Sequence, residues 1–372
     1  MKDKIITLTT NTFQHVSILQ SLLEAEGIEC ILQNTNVIEG AVNGSVKIRI
    51  KESDLERAMK LMETIEEPGI EKMVTQKSVK SGKSRILLPI DFSDYSEKAA
   101  NIALDWAMRL NAEIMVLNVY FNPIVNTLPF SDAYIYDSSM EEMVVDMEQQ
   151  AVTNMNDFMH RFRKKKEQLG GETLKIRKKL IRGVAEDEII HFSDDYQPTV
   201  IIMGTRGKDR KAADLIGSVT AEVMEKARVP VLAVPEDFEY NGIDNIKNLM
   251  YATAFEESDF MALEKLEKIV RPLDVKIFFV HVGLGDNEKW DRLKLDGLKK
   301  FMQKQFPKLN VACDLIDCED FWVGLEGYIQ RQNIDIISFT SKRRNLLARL
   351  INPSLGKKML FHTNTPMLVF HA

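Results

Sequence analysis

Apolar residues along the chain follow two kinds of spacing. In residues 1–70, short runs of alternating apolar and polar residues predict strands, and amphipathic stretches predict helices. Their order is strand, helix, strand, strand, helix. From residue 85 onward, continuous apolar runs such as ILLPI and VKIFFVHV alternate with stretches whose apolar positions recur every three or four residues. Continuous apolar runs predict strands buried on both faces, and helices between such strands predict a parallel sheet. The pattern therefore predicts a small α+β domain followed by α/β architecture.

The α/β pattern occurs twice. The first copy contains a predicted strand from Val200 to Gly204, and the same succession of elements restarts near Asn245. Residues 71–84 are rich in Lys, Ser and Gln and lack apolar periodicity, which is typical of a linker. We therefore predict a small α+β domain at 1–70, a linker at 71–84, and α/β domains at 85–237 and 245–372. The first α/β copy is longer than the second, mainly because of a segment from Phe121 to Glu172.

Composition and charge narrow the class of protein. The 372 residues carry a net charge of -6, which argues against binding along a nucleic-acid backbone. No stretch approaches the roughly 20 apolar residues of a membrane span, and the N-terminus lacks the pattern of a signal peptide. Three cysteines are too few for a disulfide framework. We expect a cytoplasmic protein with no nucleic-acid or membrane partner.

Three glycines mark the end of one predicted strand. They are Gly204, Gly207 and Gly217, and Ser218 follows the last of them. Ligands bind at the carboxyl ends of strands in open α/β sheets, and glycine lets the backbone approach a phosphate closely. A helix that begins at Ser218 would present its free amides and the positive end of its dipole to an anion. The alternative is structural, with the glycines forming a turn and Ser218 capping the helix.

The glycine motif resembles a known nucleotide-binding signature. MGTRG, nine further residues and then GSVT resemble the ATP-binding signature of the universal stress protein family, and ILLPIDFSDYSEKAANIALDWA resembles that family's first strand and helix. The resemblance covers residues 84–236 and, more weakly, 245–372. It implies two tandem domains, each with a doubly wound parallel sheet, and an adenine nucleotide (ATP, ADP or AMP, with or without Mg²⁺) as cofactor.

The same resemblance implies a set of binding residues, carried over by position. Adenine and ribose would lie near Pro89, Ile90, Asp91 and Val119, the sugar and phosphates near Met203 and Gly204, and the phosphates near Gly207, Gly217, Ser218 and Val219. For Asp91, the structural alternative is that it caps the turn that follows it.

The second α/β copy lacks this motif. The positions of Asp91, Gly204, Gly207, Gly217 and Ser218 align with Ala254, Phe339, Lys342, Asn352 and Pro353. Proline has no amide to offer a phosphate, and phenylalanine blocks a close approach. We therefore expect that the second copy does not bind ATP in the family's manner.

Members of the family commonly dimerise through their last strands, which implies that the two copies form an internal pseudo-dimer here. A homodimer of two chains is the open alternative.

The N-terminal segment resembles a different family. LLEAEGIECILQN and VKIRIKESDLERAMKLMETI resemble a small bacterial family of signal-transducing proteins related to ferredoxin-like domains, which implies a regulatory or docking role for residues 1–70.

For the whole chain the favoured hypothesis is an ATP-dependent stress-response and signalling protein. The alternatives are a slow ATPase, for which Asp91 is the candidate base, and a scaffold with a vestigial site. The segment from Phe121 to Glu172 could cover the site, bind a partner, or form a solvated helix.

Overall fold

The computed structural model describes most of the α/β part of the chain and a smaller share of the N-terminal part. The described residues are 5–12, 23, 27–34, 45–55, 57–59, 84–120, 138–205, 216–253, 255, 257–283, 288–318, 321–340 and 364–371. They fall into two compact units, Met1–Gly82 and Lys83–Ala372.

The first unit contains a small antiparallel sheet. Its strands are β1 (Ile5–Thr12), β2 (Ile31–Asn34) and β3 (Ser45–Lys51). They are arranged in the order β1-β3-β2, with β3 paired antiparallel to both neighbours. Leu23, Ile28, Ile48, Ile50 and Ala58 are buried together and form the core of this unit. The three predicted strands are present, whereas the two predicted helices lie largely outside the described residues.

The second unit is built on one large sheet flanked by helices. Its strands are β4 (Arg85–Pro89), β5 (Glu113–Tyr120), β6 (Ile176–Arg182), β7 (Val200–Gly204), β8 (Val231–Val234), β9 (Asn248–Ala252), β10 (Lys276–Gly283), β11 (Asn310–Asp317), β12 (Ile336–Thr340) and β13 (Met367–Phe370). Its helices are α1 (Asp94–Leu110), α2 (Ser138–Gln168), α3 (Ala185–Tyr196), α4 (Ser218–Lys226), α5 (Glu257–Val270), α6 (Glu288–Gln305) and α7 (Phe321–Arg331). No described helix has the length and apolar character needed to cross a membrane.

The sheet contains the same strand order twice. The first half runs β6-β5-β4-β7-β8 and the second runs β11-β10-β9-β12-β13, so each half has its third strand at the edge and its fifth at the centre. Pairing within each half is parallel. Residues 86–88 of β4 are completely buried, and buried apolar clusters cover both faces of the sheet. This burial explains why the inner strands of the sheet are continuous apolar runs.

The two halves join through their last strands. Strand β8 pairs antiparallel with β13, with Leu232 opposite Leu368. Lys265 of α5 donates to the carbonyl oxygens of both halves, at Arg228 (3.3 Å) and at His371 (2.6 Å). Pairing leaves neither β8 nor β13 as an open edge, which removes a template for aggregation.

A buried histidine at this junction makes its stability depend on pH. His371 is 8% exposed, and its Nε2 lies 2.8 Å from the carbonyl oxygen of Met224, to which it donates when that nitrogen carries the proton. Burial lowers the pKa of His371 below its ordinary value, and the charge of Lys265 acts in the same direction. The unfolded chain therefore binds a proton more readily than the folded one, so stability is lost as the pH falls below about 6.5.

We expect that replacing His371 by glutamine removes this part of the pH dependence. Glutamine keeps an N–H donor for the Met224 carbonyl but carries no proton-binding site. Urea unfolding of both proteins at pH 8 and pH 5.5 checks the prediction, with the wild type losing more stability on acidification than His371→Gln. Equal losses in the two proteins would mean that His371 does not titrate at the junction.

Candidate functional site

A cavity of about 570 Å³ opens at the carboxyl ends of strands β4, β5 and β7, beside the first turn of α4. Nine of the ten residues assigned from the sequence line it: Pro89, Ile90, Asp91, Val119, Met203, Gly204, Gly217, Ser218 and Val219. The tenth, Gly207, lies outside the described residues. The topology accounts for this convergence, since parallel strands bring their carboxyl ends to the same edge of the sheet.

The turn after β4 is held by the Asp91 carboxylate. Its Oδ1 accepts hydrogen bonds from the backbone N–H of Ser93 (3.1 Å) and from the hydroxyls of Ser93 and Ser96 (2.5 Å each). The Ser96 hydroxyl oxygen in turn accepts from the Asp91 N–H at 3.0 Å. Phe92 between them has a φ of 63°, and Phe255 in the second half has a φ of 59°. One carboxylate oxygen of Asp91 therefore stabilises the turn at the cavity wall.

Gly204 is required by packing. A Cβ atom at this position would lie 3.0 Å from Cβ of Tyr95 and 3.2 Å from its carbonyl oxygen, because the end of β7 passes close to the first turn of α1. The carbonyl oxygen of Gly204 also accepts a hydrogen bond from the Thr220 hydroxyl at 2.8 Å. Gly204 thus brings α1 and α4 close to the end of β7, which positions the start of α4 at the cavity.

Helix α4 begins with free backbone donors. Gly217 is its N-cap, with no side-chain cap, and the Gly217 N–H donates to the Thr205 carbonyl oxygen at 2.6 Å. The N–H groups of Ser218, Val219 and Thr220 have no acceptor within the helix, since the first amides of a helix lack such a partner. The first turn of α4 contains no acidic residue, whereas the first turns of α1 and α3 contain two and three. The start of α4 is therefore suited to an anion.

A second wall of the cavity is formed by α2. Sequence reasoning offered a cover of the site as one alternative for the segment from Phe121 to Glu172, but it assigned no residue of this segment to the site. Met147, Gln150, Ala151 and Asn154 line the cavity and are spaced three, four and seven residues apart on one face of the helix. It also missed Phe92, Ser96, Leu117, Asn118, Tyr120, Ala185, Ile189 and Thr220, which complete the lining. The helical spacing of the α2 residues was visible in the sequence, but their position beside β4 and β7 was not.

The equivalent place in the second half holds a buried polar network. Asp259, 4% exposed, occupies the position of Ser96 and accepts hydrogen bonds from the hydroxyls of Thr253 and Thr340 at 2.9 Å each and of Tyr251 at 3.3 Å. Phe339, at the position of Gly204, is completely buried. The other aligned positions, Ala254, Lys342, Asn352 and Pro353, lie outside the described residues.

In the part of the chain that the structure describes, no group of three or more His, Cys, Asp or Glu side chains is placed to hold a metal ion.

Two parts of the chain match known protein families. Residues 83–235 match the family described as "Universal stress protein family", and residues 5–66 match the one described as "Putative prokaryotic signal transducing protein". The first match spans the half that contains the cavity, and the second spans most of the N-terminal segment.

Individual relatives are similar to parts of the chain. A universal stress protein of Methanocaldococcus jannaschii is 30% identical over 151 residues, which are 40% of this chain and 81% of that protein. Another from the same organism is 26% identical over 154 residues, 40% of this chain and 93% of that protein. The crystal structure of a universal stress protein from Archaeoglobus fulgidus covers 77% of this chain and 96% of its own, with a TM-score of 0.56 at 18% identity, which shows a shared fold.

Proposed function

Because the chain belongs to the universal stress protein family, we propose that its first α/β half binds one adenine nucleotide and that the chain is a nucleotide-dependent stress-response and signalling protein. ATP is the proposed ligand, with ADP and AMP as the alternatives. A magnesium ion would accompany the phosphates.

The proposal rests on one observation: the cavity has both polar and apolar lining residues and lies beside the free backbone amides at the start of helix α4. Its volume of about 570 Å³ lies within the range of small-molecule sites. The phosphates would lie at Gly217, Ser218 and Val219, where backbone N–H groups and the helix dipole favour negative charge. The sugar and base would extend toward Asp91 and Val119 along the ends of β4 and β5.

In this proposal the second half, at 245–372, is a degenerate copy that does not bind nucleotide. Its buried Asp259 network and the buried Phe339 occupy the place where the first half has Ser96 and Gly204. Its role would be that of an internal partner, since β13 completes the sheet at β8. The N-terminal segment at 1–70 would be a ferredoxin-like regulatory domain, joined by the linker at 71–84 to the α/β domain at 85–237.

Binding and not hydrolysis is the proposed activity. Asp91 is the carboxylate that the sequence offers as a base, but its Oδ1 already accepts three hydrogen bonds that hold the turn after β4. These contacts favour a structural role for Asp91 over that of a base.

The nucleotide content of the purified protein tests the proposal. We expect about one adenine nucleotide per chain to be released on denaturation of the wild type, and none from Gly217→Phe, whose side chain would cover the amides of α4. Gly297→Phe is the matched control, because Gly297 is exposed on α6 with open space around it, and it should retain the nucleotide. If the wild type releases none and binds none when ATP and magnesium are added, the proposal is wrong and the chain is a scaffold.

A further inference from the structure

We propose that helix α2 selects the base of the bound nucleotide through the amide side chains of Gln150 and Asn154. This inference rests on the proposed nucleotide site and assigns its specificity for adenine over guanine to a helix that lies outside the glycine motif. It is carried by the position of α2, by the hydrogen bond between the two amides, and by the distribution of charge around the cavity.

One continuous face of α2 serves both the core and the cavity. Ala151, Met155, Phe158 and Phe162 along this face are at most 6% exposed, and Phe158 stacks on Phe162 with ring centroids 5.4 Å apart. The N-terminal part of the same face lines the cavity. The buried part therefore fixes the rotation of the helix, and the amides of the cavity part are held by a rigid element.

The two amides are already oriented by each other. Nε2 of Gln150 donates to Oδ1 of Asn154 at 2.9 Å. This bond leaves the Asn154 amino group as a donor and the Gln150 carbonyl oxygen as an acceptor. Adenine presents an amino donor beside a ring-nitrogen acceptor, which a neighbouring acceptor and donor can pair simultaneously. Guanine presents a carbonyl oxygen and a protonated ring nitrogen along its corresponding edge, so the same pair would face mismatched groups.

A third amide, on β5, offers a further polar contact inside the cavity. Asn118 lines the cavity and is 6% exposed, and its Nδ2 donates to the carbonyl oxygen of Ile90 at 2.9 Å. Its Oδ1 is buried and has no hydrogen-bond partner in the described part of the chain. Buried polar atoms are nearly always hydrogen-bonded, so this oxygen is available to a donor group of a ligand.

The lining that α2 and β5 contribute to the cavity is uncharged. Among the described lining residues, Asp91, in the turn after β4, is the one with a formal charge. Burial, followed by the charge of Glu148, raises the pKa of Tyr120, so this lining residue is a neutral phenol. The uncharged side-chain amides on α2 suit an uncharged heteroaromatic base, whereas the phosphates are better placed at the backbone N–H groups at the start of α4.

Competition between ATP and GTP for the full-length protein tests the inference. We expect the wild type to bind ATP about tenfold or more tightly than GTP. In the double variant Gln150→Leu/Asn154→Leu, the ratio of the two dissociation constants should fall toward one. The near-isosteric Asn154→Asp replaces the donor by an acceptor and should shift the ratio toward GTP. Gln149→Leu, at an exposed position of the same helix, is the matched control and should leave the ratio unchanged.

Each outcome distinguishes this inference from the proposed function. If the wild type binds ATP and GTP equally, or if all variants keep the wild-type ratio while still binding ATP, the role of α2 is refuted and the nucleotide site stands. If the wild type binds neither nucleotide, the proposed function itself fails, and the inference fails with it. Thermal unfolding of each variant shows whether a lost preference comes from a lost fold.

Discussion

Replacing Ser218 by proline is expected to weaken ATP binding by about tenfold to a hundredfold without unfolding the protein. A hydrogen bond to a charged group contributes about 1.5 to 3 kcal/mol, and proline removes one amide from the start of α4. The second half already carries proline at the aligned position, Pro353. The variant therefore transfers one feature of the degenerate copy into the intact motif.

The backbone at this position accommodates proline. Ser218 is the first residue of α4, where the N–H has no partner within the helix and proline is well tolerated. Gly217 before it has φ of -67° and ψ of 155°, which is the extended conformation that a residue preceding proline favours. A loss of affinity in Ser218→Pro would therefore report the missing amide.

Titration of ATP into Ser218→Pro and Ser218→Ala, with thermal unfolding of both, checks this prediction. Ser218→Ala removes only the hydroxyl and should change the affinity far less than proline does. Wild-type affinity in Ser218→Pro would show that the phosphates do not lie at the start of α4.

The largest loss of stability is expected for Asp259→Ala, at about 3 kcal/mol in the free energy of unfolding. The substitution removes a buried carboxylate and leaves the hydroxyls of Thr253, Thr340 and Tyr251 without this acceptor. Unsatisfied buried donors cost the desolvation free energy that the carboxylate had offset. The four residues belong to β9, β12 and α5 or follow directly on β9, so the loss falls on the second half.

Urea unfolding measures this effect, and the triple variant Asp259→Ala/Thr253→Val/Thr340→Val is its control. Valine has nearly the shape of threonine without the hydroxyl, so the triple variant should recover part of the stability lost by Asp259→Ala. The number of nucleotides bound per chain should stay the same in both variants. A change of less than about 0.5 kcal/mol in Asp259→Ala would show that the network does not stabilise the second half.

The repeated sheet could be predicted because its signal is local. Most strands of the second unit are apolar runs, the exceptions being the edge strands β6 and β11, and β7 has the bounds that the sequence predicted, Val200–Gly204. The repetition of the same elements indicated two similar halves, whereas the pairing of β8 with β13 was implied by the resemblance to a family whose members pair their last strands. Periodicity carries this information because burial on both faces forces it.

The roles of single residues depended on contacts between distant segments. Gly204 was assigned to the approach of a phosphate, yet the structure shows a close contact with Tyr95, more than 100 residues earlier in the chain. The contribution of Asn154 to the cavity and the burial of Asp259 also arise only when separate elements meet. The spacing of residues within a single helix or strand does not indicate such contacts.

The central claim is that one half of a duplicated sheet binds nucleotide and the other does not. The number of ATP molecules bound per chain at saturation tests it most directly, measured by calorimetric titration of the full-length protein after removal of any co-purified nucleotide. The account predicts one ATP per chain, lost in Gly217→Phe. Two per chain, or one that persists in Gly217→Phe, would contradict it.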